Sequence, residues 1–521
     1  MFAAVLLAHL PLLHLPYYWD EAGYYIPAAY DFFRTGSLIP FSTLSNAHPP
    51  LPSIYLAIWW KILTFAPWVT RLAMCAVSSI ALLAVYRLAI VTTHKLKVAV
   101  ATVALTALYP VWFAQSSLAH ADMFAAAATL WALVFFLEER LWAAVACFSL
   151  AALAKETAIV TPLALATWQL WMALAPRAWK PPANESVQKH LSRAGKLLWP
   201  IVPLACWYAY HWHRTGFVFG NPEYLRYNAT ATLTPLRVLL AFAHRVLHIT
   251  AHMNLFVPVL CMLACMMLPP VEGRQRISIS DQLQFYVIIL ANLLFFSVLG
   301  GALLTRYLLP LYPLVLLVSV NTFYRRLRQW PYLIALSSAA FLAGLFINPP
   351  YRFAPEDNLA YRDVILLHQG AIQQIATRYP DATVLTAWPA TDELSKPELG
   401  YVSKPIQVAA IDNFSLPQVE KAAQLTDPYT VGLIFSTKYD PPHLPFSLGR
   451  RNQAFDERFF DFHQDLPPET IARLLGGKVM WRTERQGQWA AVLHFDRPQE
   501  AMLHPARQIE HDMLPLHYNQ P

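Results

Sequence analysis

The sequence predicts an α-helical polytopic membrane protein with about eleven transmembrane helices, outer juxtamembrane helices and a C-terminal extracytoplasmic α/β domain. Three observations lead to this fold class. Of the 521 residues, 56% are hydrophobic and only 14% are charged, whereas soluble globular proteins carry about 25% charged residues. Apolar runs of spanning length recur as far as Ile347. Beyond that residue, charges and turn signals become more frequent.

Eleven apolar runs supply the predicted transmembrane helices. The first is short for a hydrocarbon core about 30 Å thick, so we expect the true N-terminus to lie upstream. A loop of residues 16–68 follows, and its amphipathic segments Tyr24–Phe33 and Leu51–Phe65 are expected to lie along the membrane surface. The runs are Phe2–Leu15, Leu72–Val91, Val98–Phe113, Met123–Leu137, Leu141–Leu153, Ala158–Leu174, Leu197–Trp212, Leu255–Leu268, Leu283–Leu299, Leu303–Val320 and Tyr332–Ile347.

Basic residues mark one side of the predicted membrane domain. Short loops with an excess of Lys and Arg face the cytoplasm. A cytoplasmic N-terminus places the loop 16–68 outside, and the net charge of +7 then reflects topology rather than nucleic-acid binding. The residues on the cytoplasmic side are Lys95, Lys97, Arg140, Arg177, Lys180, Lys189, Arg193, Lys196, Arg274, Arg276, Arg325, Arg326 and Arg328.

The chain divides into two predicted domains. Residues 1–348 form the transmembrane domain, which includes the outer loop 16–68. Residues 349–521 form the extracytoplasmic α/β domain. In the second domain, residue patterns predict one helix and three strands. These elements are the helix Leu359–Arg378 and the strands Ala382–Ala387, Thr430–Ser436 and Ala490–Phe495.

Ionisable residues gather on the predicted outer surface. Most lie at the ends of apolar runs, and one precedes the surface segment Leu51–Phe65. Such charges are costly to desolvate, which makes them functional candidates. A carboxylate can take the proton of an attacking hydroxyl or amine, and Lys, Arg or His can neutralise a departing phosphate. This combination is typical of group transfer from a lipid-phosphate donor. The residues are Asp20, Glu21, His48, Asp122, Lys155 and Arg306.

Most of these residues also have a purely structural interpretation. Asp20 and Glu21 are alternatively a solvated pair beside the membrane. Asp122 is alternatively the N-cap of a helix. Lys155 and Arg306 alternatively extend towards lipid headgroups. The candidate site therefore depends on the co-location of these residues rather than on any one of them.

Three histidines, His244, His248 and His252, recur at a spacing of four residues, which places them on one helix face. Two such histidines can bind zinc, but no carboxylate or cysteine completes the set nearby in the sequence. A polar face that lines an outer cavity is the alternative. We assign no metal ligand and no cofactor, and leave a divalent metal open.

The order of short motifs along the chain resembles that of a known family. This family is the dolichyl-phosphate-mannose protein mannosyltransferase-like group of C-type membrane glycosyltransferases, glycosyltransferase family 39. The bacterial lipid A aminoarabinose transferases are relatives. The resemblance covers roughly residues 1–320. In order, the motifs are Asp20-Glu21, His48-Pro49-Pro50-Leu51, Arg71-Leu72, Asp122, Lys155-Glu156-Thr157 and Arg306-Tyr307-Leu308-Leu309-Pro310.

The resemblance implies an enzyme of the bacterial inner membrane. It would transfer a sugar with inversion, on the extracytoplasmic face, from a polyprenyl-phosphate donor. The acceptor would be a protein, a glycolipid or a cell-wall polymer. A transporter or flippase of lipid-linked sugars is the main alternative. Transporters place charges near the midplane and often show internal repeats, and neither pattern is visible in this sequence. A binding protein without catalytic activity is the third interpretation.

The resemblance also assigns roles to individual residues. Asp20 matches the family's catalytic acidic position, and Asp122 matches the second acidic position. Lys155 and Arg306 fall at positions that would meet the donor phosphate. His48 is placed with them, and contact with the acceptor or with a metal is its alternative role. His48 marks a departure, because the aminoarabinose transferases carry Lys-Pro-Pro where this chain has His-Pro-Pro. Supporting roles fall to two neighbours of these residues, Glu21 and Tyr307.

Overall fold

The chain forms two compact units in a computed structural model. The first unit comprises Met1–Leu13 and Pro27–Ile347, and the second comprises His14–Ile26 and Asn348–Pro521. The sequence places residues 14–26 with the membrane domain, but in the structure they cluster with the C-terminal residues. Arg177 and Lys180 lie outside the described residues. The structure describes residues 1–175, 186–220, 222, 226, 233–299, 301, 303–425, 429–439, 441, 459 and 463–496.

The first unit is built from α-helices, as its apolar runs predict. Several begin with proline, for example at Pro67, Pro110 and Pro235, because the first turn of a helix does not need the N–H that proline lacks. The helices are Phe2–His9, Ile26–Thr35, Leu51–Ile62, Pro67–Thr93, Leu96–Leu108, Pro110–Gln115, Ala121–Leu137, Leu141–Ala154, Val160–Leu174, Val187–Leu197, Ile201–Thr215, Pro235–Thr250, Phe256–Met266, Ile279–Val298, Tyr312–Arg326 and Trp330–Phe346.

Three of the described helical segments are long and apolar enough to cross a membrane. They are Pro67–Thr93, Ile279–Val298, and Glu156–Leu174, which joins the 3-10 turn Glu156–Ile159 to the helix Val160–Leu174. The segment Pro235–Asn254, which joins the helix Pro235–Thr250 to the 3-10 turn His252–Asn254, is also long and apolar enough when it is taken together with the helix Phe256–Met266, although the two are bent by 99°. Five shorter apolar helices accompany them in the described part of the chain. The mostly helical architecture is therefore confirmed, and the count of about eleven spans stays a prediction.

Two predicted runs are interrupted in the structure, and proline explains both. The run Val98–Phe113 breaks at Tyr109, whose ψ of 125° is extended, because the residue before a proline disfavours the helical conformation. The run Leu303–Val320 contains Pro310 and Pro313, and its regular helix starts only at Tyr312. Hydropathy alone predicts each of these runs as one continuous helix, but their prolines divide them.

The second unit contains a five-stranded sheet in the order β2-β1-β3-β5-β4. Strand β1 pairs in parallel with β2 and β3, whereas β5 pairs antiparallel with β3 and β4. The strands are β1 Val384–Ala387, β2 Val408–Ile411, β3 Val431–Phe435, β4 Gly477–Arg485 and β5 Gln488–Phe495. The helices are Ala360–Arg378, Ala390–Ser395, Leu416–Ala423 and Pro468–Leu474.

The predicted helix and three predicted strands of the α/β region are present, but two strands lie outside the predictions. β2 is a short strand whose two central residues are alanines, a residue type that is depleted in strands. β4 lies at the edge of the sheet, where half-buried residues alternate with exposed ones and several side chains are charged. Edge strands tolerate such charges because one face and one edge meet water.

Candidate functional site

A buried carboxylate, Asp122, lies between two cations in the first unit. The Nζ atom of Lys155 donates a hydrogen bond of 2.6 Å to Oδ1 of Asp122, and Nε of Arg306 lies 3.3 Å from Oδ2. The three side chains are only 3% to 6% exposed. Charges this far removed from water are retained when they are paired. The Asp122 carboxylate is thus flanked by a cation on each of its two oxygens.

The ends of helical elements bring these three groups together. Asp122 lies in the first turn of the helix Ala121–Leu137, where the helix dipole favours a carboxylate. Lys155 directly follows the helix Leu141–Ala154, at the end where the dipole favours a cation. Arg306 lies in a short 3-10 helix. The sequence separation of these residues is large, so only tertiary packing unites them.

The structural alternatives for these residues are wrong. His120, rather than Asp122, is the N-cap of its helix, and no side chain makes a capping hydrogen bond there. Lys155 and Arg306 are 5% and 2% exposed, so neither side chain extends towards headgroups. The structure brings Asp122, Lys155 and Arg306 into contact, as the co-location of these residues predicts.

The ring of Tyr307 links the cluster to a third cation, which the sequence patterns did not assign to the site. Lys155 Nζ lies 3.9 Å from the centre of this ring, and the guanidinium carbon of Arg245 lies 5.6 Å from it. Arg245 is fully buried and donates hydrogen bonds to the carbonyl oxygens of Leu304 and Phe296. The sequence pattern that could have identified Arg245 is an arginine inside a largely apolar helix, which marks a residue as a functional candidate.

His120 also contacts the cluster, and its hydrogen bond to Gln115 determines which ring nitrogen carries the proton. Its Nδ1 lies 2.7 Å from Oε1 of Gln115. An amide oxygen only accepts, so Nδ1 carries the proton and Nε2 presents a lone pair. Arg306 Nη1 lies 3.5 Å from both ring nitrogens of His120. Burial lowers the pKa of His120 well below its usual range, and the nearby cations Arg306, Lys155 and Arg71 lower it further. A neutral imidazole avoids adding another positive charge.

Replacing His120 by Phe is expected to lower the free energy of unfolding by about 1–3 kcal/mol, because it removes a buried hydrogen bond. The double variant His120→Phe/Gln115→Leu should lose less than the sum of the single variants, since both remove the same contact. Chemical unfolding in detergent, followed by tryptophan fluorescence, measures these differences. Strict additivity would contradict the assigned hydrogen bond.

His48 and Glu156 form a second pair in the first unit. Nδ1 of His48 lies 2.8 Å from Oε2 of Glu156, and their side chains are 14% and 22% exposed. Glu156 directly follows Lys155. The same turn therefore contributes Lys155 to the Asp122 cluster and Glu156 to the pair with His48. The structure therefore brings His48 to the turn that carries Lys155. Contact between His48 and a donor phosphate stays a prediction.

Asp20 and Glu21 belong to the second unit, and their interpretation as a solvated pair is wrong. Asp20 is 5% exposed and Glu21 is fully buried. Oε2 of Glu21 accepts a hydrogen bond of 2.9 Å from the backbone N–H of Tyr18. Glu21 also begins the π-helical turn Glu21–Tyr25, a conformation that is often found at functional sites. That Asp20 acts together with the Asp122 cluster stays a prediction.

The three histidines of the bent helix pair form a row of rings. The ring centres of His244 and His248 lie 6.3 Å apart, and those of His248 and His252 lie 5.4 Å apart. Within the described residues, no group of three or more His, Cys, Asp or Glu side chains is arranged to hold a metal ion. The interpretation of the histidines as a polar face that lines an outer cavity stays a prediction.

Comparison with known proteins adds two findings to this geometry. Residues 47–207 match the family model described as dolichyl-phosphate-mannose-protein mannosyltransferase. The fold is shared with ArnT from Cupriavidus metallidurans, in a crystal structure bound to undecaprenyl phosphate and in one of the apo state. Both structures are 15% identical to this chain and cover 94% of it and 97% of their own length, with TM-scores of 0.55 and 0.54. No curated protein matches the sequence.

Proposed function

We propose that this chain, a glycosyltransferase related to the dolichyl-phosphate-mannose-protein mannosyltransferases, transfers a sugar from a polyprenyl-phosphate donor with inversion at the anomeric carbon. The observation that carries the proposal is the buried cluster of Asp122, Lys155 and Arg306, in which two cations flank one carboxylate. Two of these residues lie within the segment that matches the family. The match supports the resemblance predicted from the motifs.

In the proposed reaction, the Asp20 carboxylate removes a proton from a hydroxyl or amine of the acceptor. The resulting nucleophile forms a bond to the anomeric carbon of the sugar. The bond from that carbon to the donor phosphate oxygen breaks, and the electron pair leaves with the polyprenyl phosphate. Attack from the face opposite the phosphate inverts the anomeric configuration. The proton remains on Asp20 until water exchanges it.

The cation cluster suits the leaving group. Lys155 and Arg306 would stabilise the charge that grows on the phosphate, and their low exposure strengthens this interaction because water does not screen it. Asp122 would keep both cations in place before the donor binds. His48 is proposed to meet the same phosphate. The undecaprenyl phosphate bound to ArnT supports a polyprenyl-phosphate donor for a chain of this fold.

We propose that the first unit is embedded in a bacterial inner membrane by about eleven helices, with the second unit on the extracytoplasmic face. The basic loops described above support this orientation. Glu21 and Tyr307 would support the site. The acceptor is a protein, a glycolipid or a cell-wall polymer. Mass analysis of envelope glycans from cells with and without the protein distinguishes these three classes.

Binding of the polyprenyl phosphate, the part of the donor that leaves, can be tested separately from catalysis. Arg306→Met should weaken binding of undecaprenyl phosphate at least about 30-fold, because a buried charge pair contributes about 2–5 kcal/mol when one partner is truncated. The matched control is Arg87→Met, since Arg87 forms an ion pair with Glu138 but is 51% exposed. Native mass spectrometry of the detergent-purified protein with undecaprenyl phosphate measures both. Equal loss of binding in the two variants would contradict a phosphate site at Arg306.

A further inference from the structure

The segment that carries Asp20 is fixed by main-chain hydrogen bonds within the second unit. The backbone N–H of Tyr17 donates to the carbonyl oxygen of Leu399 at 3.3 Å. The hydroxyl of Tyr401 donates to the carbonyl oxygen of Tyr17 at 3.0 Å. The backbone N–H and the carbonyl oxygen of Tyr17, three positions before Asp20, are therefore both hydrogen-bonded to the turn that ends at Tyr401. A segment tethered through its backbone has little freedom to shift its side chains.

Trp388 holds the other end of the same segment. The rings of Trp19 and Trp388 meet edge to face, with centres 5.1 Å apart. Gly23 lies so close to the Trp388 indole that a Cβ atom at Gly23 would be 2.7 Å from Cζ2 of Trp388. Trp388 is 6% exposed, so its ring has little room to move away. Asp20 lies between these two contacts with Trp388.

Trp388 lies at the carboxyl end of the central parallel strand β1. It directly follows Ala387, the last residue of β1, and β1 is flanked by the parallel strands β2 and β3. In open α/β sheets, ligands bind at the carboxyl ends of the strands where the strand order reverses. Here a segment of the same chain, rather than a diffusible ligand, contacts the residue at that position.

The backbone before Asp20 is held in an unfavourable conformation. Trp19 has a φ of +44°, which is a left-handed conformation that bulky side chains rarely adopt. Such a conformation persists only where the surrounding packing overdetermines it, and it is concentrated at functional sites. The contacts of Tyr17, Trp19 and Gly23 supply that packing.

We propose that the C-terminal α/β unit is a positioning scaffold for the catalytic segment, in which Trp388 and Tyr401 are the positioning residues that fix Asp20. The inference rests on the proposed function, in which Asp20 is the base. A general base must lie within hydrogen-bond reach of the proton that it removes. The α/β unit would therefore govern the rate of the chemical step and not the affinity for the donor.

Two glycines provide a matched test. In Gly23→Ala the new methyl group must displace the segment from Trp388, and a displacement of about 1 Å is expected to lower kcat about 100-fold. The KM for the donor should not change. At Gly195, no described heavy atom other than those of its neighbouring residues and of its own helix backbone lies within 4 Å of the position that a methyl group would occupy. Gly195→Ala is therefore the control and should retain wild-type kcat. Transfer of label from an undecaprenyl-phosphate-linked sugar by the full chain in liposomes measures both.

Tyr401→Phe is a second variant with little risk of misfolding, because it removes only the hydroxyl that binds the Tyr17 carbonyl. It should lower kcat about 10-fold with the donor KM unchanged, the size of effect produced by about 1.4 kcal/mol in the barrier. Hydrogen exchange of the peptide that covers residues 14–26 should quicken in both Tyr401→Phe and Gly23→Ala, and remain as in wild type in Gly195→Ala. This readout does not depend on catalysis.

The outcomes separate the two proposals. A lower kcat in Gly23→Ala and Tyr401→Phe, with faster exchange of residues 14–26, supports the scaffold. Wild-type kcat or unchanged exchange in both variants, together with an inactive Asp20→Asn, overturns the scaffold and leaves the proposed function standing. Absence of transfer by the wild-type chain with every donor tested overturns the proposed function, and the scaffold role with it.

Discussion

Asp20→Asn is expected to abolish sugar transfer, with kcat lower by about 10²–10⁴-fold, because an amide cannot accept the proton that a general base removes. Asparagine has nearly the same shape as aspartate, so the buried side chain should still fit its surroundings. Turnover is measured in liposomes that contain the full chain and an undecaprenyl-phosphate-linked sugar. Size-exclusion chromatography and the unfolding temperature in detergent show whether the variant folds.

Glu21→Gln is the matched control for this experiment. Glutamine retains a side-chain oxygen that can accept the hydrogen bond from the backbone N–H of Tyr18, so its effect on kcat should be far smaller than that of Asp20→Asn. Near-normal turnover by Asp20→Asn would remove Asp20 as the base. Equal loss in the two variants would mean that the segment needs both charges and that neither residue alone is the base.

Asp122→Asn is expected to lower the free energy of unfolding by about 3–5 kcal/mol, because it leaves buried cations without their carboxylate. Lys155 and Arg306 are both within 3.3 Å of Asp122, so a single change removes the partner of both. The double variant Asp122→Asn/Lys155→Met should recover part of this loss, since it removes the closer of the two cations. Chemical unfolding in detergent measures the difference.

An exposed ion pair provides the comparison for Asp122. Arg87 donates to Glu138 at 2.6 Å, but Arg87 is half exposed, and such pairs contribute only about 0–1 kcal/mol. Arg87→Gln should therefore change stability far less than Asp122→Asn. If the two variants are equally stable, the Asp122 cluster is not a desolvated ion-paired site, and its proposed role in binding a phosphate loses its physical basis.

The sequence predicted the residue types of the site better than their partners. Local hydropathy and charge were enough to place Asp122, Lys155 and Arg306 at the ends of apolar segments. Their pairing depends on how three helical elements pack, which no local pattern contains. The pairing of His120 with Gln115 and the approach of Arg245 to Tyr307 were missed for the same reason.

The division of the chain is the other point at which local patterns were insufficient. Asp20 and its neighbours follow the first apolar run, so proximity in sequence assigns them to the membrane domain. In the structure, residues 14–26 cluster with residues from 348 onwards, and Tyr401 contacts Tyr17 across 384 positions of the chain. Aromatic residues such as Trp19 and Trp388 were visible in the sequence, but their contact was not predictable without the fold.

One reaction in liposomes tests the central claim most directly. The full chain is reconstituted with an undecaprenyl-phosphate-linked sugar that carries label in the sugar, and acceptor fractions from the cell envelope are supplied. We predict that labelled sugar moves to an acceptor with inverted anomeric configuration, and that one undecaprenyl phosphate is released for each sugar transferred. Movement of the intact lipid-linked sugar across the bilayer, with no cleavage of its phosphate bond, would contradict transfer and indicate a flippase.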